Sequence, residues 1–235
     1  MKFVFFLLAF SMQGYVFAQI EDETVRQAMT KKFSKFIPNG AVIFDTACSD
    51  FNKDGLTDML LVTTSEAATN DTRGLIILQN SIAGFIVSAK CANAVFCEAC
   101  GGIFGDPYAG ISFTKNVLTI NHYGGSAWRW TSNFTFRFQN KQWELIGISL
   151  DSYWNVDDCN GKGVGYAGQN LKEVNFSTKK MHLIETAENQ CTPKTDKWVT
   201  VKSYKKVSLD DFDVQEDYFK YIHFKASPGS SKGKK

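Results

Sequence analysis

Trp128-Arg129-Trp130-Thr131-Ser132-Asn133-Phe134-Thr135-Phe136-Arg137-Phe138 decides the fold class. Trp128, Trp130, Phe134, Phe136 and Phe138 fall on one face of an extended chain, and Arg129, Thr131, Asn133, Thr135 and Arg137 on the other. Alternation with a period of two over this length is the pattern of a half-buried β-strand. Asn140-Lys141 follows as a tight turn, and residues 143–150 read as the returning strand of a hairpin.

Short apolar or β-branched runs separated by turn residues recur at 41–44, 59–64, 74–79 and 85–89. Runs at 111–114 and 117–122 are joined at Lys115-Asn116. A further hairpin spans 174–177 and 181–185, and a last strand spans 198–204. Residues 21–36 form the one expected helix, with Val25, Met29, Phe33 and Phe36 at helical spacing and Pro38-Asn39-Gly40 as its stop. Stretches 91–107 and 151–168, rich in glycine or cysteine, are expected as loops, and the acidic segment 209–221 as irregular chain or an edge segment. The expected fold is mostly β: an antiparallel meander or curled sheet, or propeller-like blades, with one N-terminal helix. No repeat is visible, which opposes a whole propeller within the chain.

The ends of the chain bear on location. Met1-Lys2, an apolar run from Phe3 to Phe10, and Val16-Phe17-Ala18 before Gln19 have the layout of a cleaved signal peptide over residues 1–18. The apolar run is too short to span a bilayer, which takes about 20 such residues. Residues 19–224 are expected to form a single mostly-β domain, and 225–235 a disordered basic tail. The formal charge is +2. Without Lys2 and the four lysines of the tail the body is near −3, no electrostatic footprint for nucleic acid. No later stretch is apolar enough for a membrane span. The expected location is the periplasm or the exterior.

Six cysteines, Cys48, Cys91, Cys97, Cys100, Cys159 and Cys191, are an even set, and disulfides are expected in an exported chain. Zinc or redox chemistry at Cys97-Glu98-Ala99-Cys100 are the alternatives. No second Cys-x-x-Cys completes a zinc site, and the glycines after Cys100 oppose a redox helix. The pair singled out is Cys159–Cys191.

Asp50-Phe51-Asn52-Lys53-Asp54-Gly55-Leu56-Thr57-Asp58 places oxygen side chains at alternate positions on a tight loop between two expected strands. Calcium, a hard cation that takes roughly six to eight oxygens, suits such a loop. Asp50, Asn52, Asp54 and Asp58 would supply side chains and Leu56 its carbonyl, while Gly55 permits the bend. Leu61 stands where an EF-hand has its bidentate Glu, and strands flank the loop, so the loop is not an EF-hand. The stretch from Cys48 to Val62 resembles the FG-GAP or VCBS type of repeat, whose Asp-rich loop between strands binds calcium. That resemblance implies the same ligands and a structural ion. The single copy departs from propellers of that type.

Gly101-Gly102-Ile103-Phe104-Gly105-Asp106-Pro107 and His122-Tyr123-Gly124-Gly125-Ser126-Ala127-Trp128-Arg129-Trp130 are the most individual segments. They resemble segments of a family of exported bacterial proteins without an assigned activity, over most of residues 38–210. Gly124-Gly125 frees the backbone for a bend or a close approach. His122, Tyr123, Trp128 and Arg129 would line a ligand groove at that bend, or else Trp128 joins the core and His122 is a satisfied polar residue. His122 with Asp106 and Ser126 invites comparison with a hydrolase triad, but Ser126 lies in no nucleophile elbow. The expected function is a calcium-stabilised, non-catalytic module binding an extracytoplasmic glycan, peptide or protein. The alternative is a periplasmic enzyme, or an inhibitor or immunity-type protein.

Overall fold

The computed structural model describes residues 22–65, 70–114, 116–156, 159 and 167–224. The expected signal peptide and basic tail lie outside them. Among the described residues one helix, α1 (Glu23–Lys32), precedes twelve strands. Asp22 caps it, its carboxylate accepting from the N–H groups of Thr24 and Val25, which satisfies two donors otherwise left open at a helix start. The chain then turns through Phe33 and Phe36 rather than continuing as helix to 36.

The strands form two antiparallel sheets. β1 (Ala41–Ser49), β2 (Asp58–Ser65), β3 (Arg73–Gln79) and β4 (Ile86–Val95) make a four-stranded meander in chain order. β5 (Tyr108–Thr114), β6 (Val117–Gly125), β7 (Trp128–Gln139), β8 (Gln142–Trp154), β9 (Gln169–Asn175), β10 (Lys180–Thr186), β11 (Thr195–Ser203) and β12 (His223–Phe224) make the second, again in chain order, with β5 and β12 at its edges. Every neighbour is antiparallel, so short turns suffice. Asn140 (φ 54°) and Lys141 (φ 65°) close the β7–β8 hairpin; positive φ at both positions matches the right-handed twist of the strands.

Three layers result. Ile43, Leu61, Ile76 and Leu78 of the first sheet pack with Phe33 and Ile37 on the helical side. On its other face, Leu60, Val62, Leu75 and Ile77 join Ile120, Phe134, Phe136, Ile148 and Val174 of the second sheet in the main core. Most of the central strands β2 and β3 is therefore buried, whereas β6 alternates residue by residue.

Two expected loops are partly strand. Cys91 to Val95 continues β4, because Cys91, Ala94 and Val95 are core residues. Residues 151–154 continue β8, paired with β7 on one side, Tyr153 also opposing Gln169 of β9 on the other. The segment after β11 is irregular, as expected, with two short 3-10 turns at Leu209–Asp211 and Tyr218–Tyr221. Phe212 of that segment packs edge-on against Phe134 and Phe136 and stacks on Tyr218. The acidic segment thus covers the second sheet's inner face by its aromatic residues.

Two disulfides are present. Cys159–Cys191 joins the segment after β8 to the one before β11, and Cys97–Cys100 closes the short turn after β4. Cys48 and Cys91 are free thiols. Burial raises the Cys91 thiol to about 11, and its Sγ donates to the Phe212 carbonyl at 2.9 Å. The disulfides fit an extracytoplasmic protein. Among the described residues no helix is long and apolar enough to cross a membrane.

Candidate functional site

The acidic loop connects β1 to β2, with strands on both flanks as its sequence implied. Its oxygens fold the loop back on itself. The Asp50 carboxylate accepts from the N–H groups of Asp54 and Gly55 at 3.1 and 2.9 Å. Asn52 Oδ1 accepts from the Asp54 N–H, and Asp54 Oδ1 from the Leu56 N–H. Lys53 (φ 65°) and Gly55 (φ 86°) take the left-handed backbone this tight path needs.

Asp58 stands apart from the other candidate ligands. It is fully buried, and its two carboxylate oxygens accept from the N–H groups of Phe51 and Asn80 at 2.8 and 2.7 Å. That arrangement fastens the loop to the β3–β4 connection. Among the described residues no three His, Cys, Asp or Glu side chains gather as a metal cluster. A calcium set drawn from this loop would combine the carboxylates of Asp50 and Asp54 with the neutral oxygens of Asn52 and the Leu56 carbonyl. Such a mixture is chemically suited to that ion.

The two aromatic-glycine segments, far apart in sequence, meet. Gly102 bridges to Gly125, Ile103 N–H donates to the Gly125 carbonyl, and Tyr123 N–H donates to the Pro107 carbonyl at 2.8 Å. A Cβ on Gly124 would stand 2.6 Å from the Trp130 ring and 2.9 Å from the Gly101 carbonyl, so the close approach requires glycine. Asp106 forms a two-pronged ion pair with Arg73 at 2.9 and 2.7 Å. Arg73 is itself buried and lies over the Phe44 ring. Tyr108 donates its hydroxyl to Asp45 at 2.7 Å. Burial raises the Asp45 carboxyl, and burial together with the Asp45 charge raises the Tyr108 phenol. This network stitches β1 and β3 to the start of β5.

His122, Tyr123, Trp128 and Arg129 do not share one groove. The β6–β7 register pairs His122 with Ser132 and Tyr123 with Thr131, so successive residues face opposite sides of the sheet. His122 points inward and is 1% exposed. Its Nε2 accepts from the Phe96 N–H at 3.4 Å, and its Nδ1 lies 3.3 Å from the Ser132 carbonyl. Burial lowers its pKa to about 4, so the ring is neutral at pH 7. Both ring nitrogens meet backbone groups, and Asp106 is engaged by Arg73, so the triad geometry is not assembled. Trp128 faces the same side as His122 and packs on Trp154. Tyr123 and Arg129 lie on the outer face, both against Phe104. Arg129 Nε and Nη1 are buried without a hydrogen-bond partner, its cation resting 4.2 Å from the Phe104 ring centre.

A cleft of about 630 Å³ opens where the inner face of the second sheet runs beyond the core. Trp130, Ser132 and Phe134 of β7, Leu150 and Ser152 of β8, and Asn170 and Lys172 of β9 line one wall. Phe96 and residues 214–219 line the other. Trp130 is the link to the sequence signals, being the last residue of the second aromatic-glycine segment. The opposing wall comes from the acidic stretch near the C-terminus, and nothing local in either segment indicates that they face each other.

No family model matches the chain, and no curated protein matches it. A solved structure described as "Structure of a Xanthomonas Type IV Secretion System related protein" is similar over 64% of this chain and 57% of that one, with 13% sequence identity and a TM-score of 0.29. The likeness spans little more than half of that protein's length.

Proposed function

We propose that this chain is an exported, non-catalytic binding module that takes an extracytoplasmic glycan, peptide or protein ligand in the Trp130 cleft. The acidic loop would hold a structural calcium ion. The cleft carries the reading. Its volume lies within the roughly 300–1,000 Å³ of small-ligand sites. It is walled by aromatic and aliphatic side chains with a few polar groups among them, the composition that gives affinity by burial and orientation by hydrogen bonds. Phe96 and Trp130, 5.8 Å apart and edge to face, give it a firm aromatic corner. The signal-like N-terminus and the two disulfides support export.

Adding glycan and peptide libraries to isotope-labelled protein tests this reading by nuclear magnetic resonance. Binding ligands are expected to shift the Trp130 indole and the amides of residues 214–219. Trp198, 64% exposed on β11 and stacked on His182, serves as the outer-face control. Ligands that shift only Trp198 would overturn the assignment of the cleft.

A further inference from the structure

The end of β7 opposite the Trp130 cleft carries a separate cavity of about 330 Å³. β7, β8, the β9–β10 connection and the segment after β11 enclose it, and it shares no lining residue with the cleft. Its charged groups are Arg137, Lys179, Lys206 and Glu144, three cations to one carboxylate. That balance stands out in a body whose formal charge is near −3. Each cation is placed by the fold. Arg137 belongs to β7 itself. Lys179 takes left-handed backbone (φ 55°), and its carbonyl accepts from the Val201 N–H at 2.9 Å. Lys206 precedes Val207, whose carbonyl accepts from the Leu145 N–H at 2.9 Å.

The carboxylate does not neutralise these cations. The β7–β8 register sets Glu144 directly across from Arg137, a position where opposite charges commonly pair. Glu144 instead turns to side-chain amides. Gln139 donates to its Oε2 at 2.6 Å, and Asn140 and Gln142 donate to its Oε1 at 2.9 and 3.3 Å. The Asn140 and Gln139 amides foremost, then Gln142 and the Lys206 charge, hold this carboxyl below the usual range. It is 5% exposed, so its charge is spent inside the protein. Arg137, Lys179 and Lys206 belong to none of the described ion pairs. Both lysines are exposed, and the half-buried Arg137 has guanidinium nitrogens open to solvent.

Cations gathered on one cavity repel each other, and an anion between them relieves that repulsion. A guanidinium offers two parallel N–H groups to two oxygens of one oxyanion, while ammonium groups act as point charges. The volume falls at the lower end of the roughly 300–1,000 Å³ of small-ligand sites. Tyr204, stacked on Phe176 with ring centres 4.4 Å apart, supplies an aromatic flank.

We infer that this cavity binds a phosphate-type oxyanion, Arg137 holding two of its oxygens and Lys179 and Lys206 balancing its charge. Free inorganic phosphate and a phosphate monoester on a larger molecule offer the same chemistry, the body of an ester lying against Tyr204. The site is independent of the Trp130 cleft.

Titrating inorganic phosphate into the isotope-labelled full chain at constant ionic strength, with chloride as the comparison ion, tests the site by nuclear magnetic resonance. Phosphate is expected to shift the Arg137 Nε–H and the amides of Ser177 and Lys179 saturably, and chloride to leave them in place. Arg137→Gln should weaken phosphate about tenfold or more. Lys206→Met, at an exposed position, should weaken it severalfold and carries the test if Arg137→Gln fails to fold. Lys202→Met removes an exposed lysine of β11 outside the cavity and should leave the affinity unchanged. Glycerol 3-phosphate binding more tightly than phosphate identifies an ester as the source, and equal affinities identify the free ion. Shifts that chloride reproduces, or equal weakening by Lys202→Met and Lys206→Met, would overturn the inference and leave only a solvated basic surface.

Discussion

Strands β2 and β3 are largely buried on both faces, whereas β6 and β7 alternate between an apolar inner face and a polar outer one. The difference follows from the layers. The first sheet lies between the helix and the second sheet, so Leu61 and Ile76 meet Phe33 while Leu60 and Ile77 meet the second sheet's core. Among the described residues the second sheet's core lies on its inner face, its outer face being met by Phe104 at Tyr123 and Arg129, and the inner cover stops short at the Trp130 end, where the cleft lies. Of the two cross-links, Cys97–Cys100 closes only the short turn after β4 of the first sheet, and the longer one lies on the second. Cys48 and Cys91 of the first sheet are free, whereas Cys159–Cys191 spans the segments flanking β9 and β10 of the second. A sheet packed on both faces is held by its core, and one packed on a single face gains from constraint of its unfolded chain.

The largest expected effect tests the doubly covered sheet. Leu61→Ala removes a fully buried side chain between sheet and helix and should lower unfolding stability by about 4 kcal/mol, the upper part of the range for such truncations. Phe138→Ala, on a strand of the singly covered sheet and 43% exposed, should cost about 1 kcal/mol or less, since much of that ring already meets water. Urea denaturation of both variants measures the contrast, and equal losses would break it.

His122 provides a second test, on the inner face of the second sheet. Its folded pKa of about 4 lies below the ordinary histidine value of 6.5, so between those values the unfolded chain binds a proton that the folded chain refuses. Stability should therefore fall as pH drops from about 6.5 to 4, by about 3 kcal/mol in all. The raised Asp45 carboxyl acts in the opposite sense, because its folded form favours the proton. His122→Gln isolates the histidine: the variant's stability should lose that slope and keep the remainder of the profile. Identical profiles for variant and wild type would show that the ring is not held neutral by burial.

The acidic loop sharpens the comparison at the edge of the first sheet, where a local device rather than layer packing sets the order. If the loop holds calcium only when folded, a hundredfold excess over Kd stabilises by about 2.7 kcal/mol. Millimolar calcium should raise the melting temperature, a chelator should reverse the rise, and Asp54→Ala should abolish the response. Magnesium should substitute poorly, since it demands a tight octahedron. Coincident melting curves with calcium and with chelator would leave the hydrogen bonds of the loop as its whole support.

Much of the fold was legible in the chain. The alternation at 128–138, the Asn140-Lys141 turn and the apolar runs of β2 and β3 each carry their own structural signal. The strand extensions at Cys91 to Val95 and at 151–154 did not, because the cysteine and polar residues there, and the glycines that follow them, suggest loops. Their pairing is with the far ends of the preceding strands, β3 and β7, which no local signal reports. The groove expected at His122, Tyr123, Trp128 and Arg129 shows the same limit. Adjacent residues on a strand point to opposite sides, so closeness in sequence separated the four instead of joining them.

By itself the sequence determined the fold class, the helix, the hairpins and the acidic loop, since period, turn chemistry and residue type are local or compositional properties. Tertiary structure alone decided that His122 is buried and neutral, that Arg73 pairs with Asp106, and that Phe96, Trp130, Lys172 and residues 214–219 surround one cleft. The physical reason is that a cleft and a buried charge are defined by what comes to lie opposite them. Here the opposing groups are brought from distant parts of the chain by antiparallel pairing and by the closing of one layer over another.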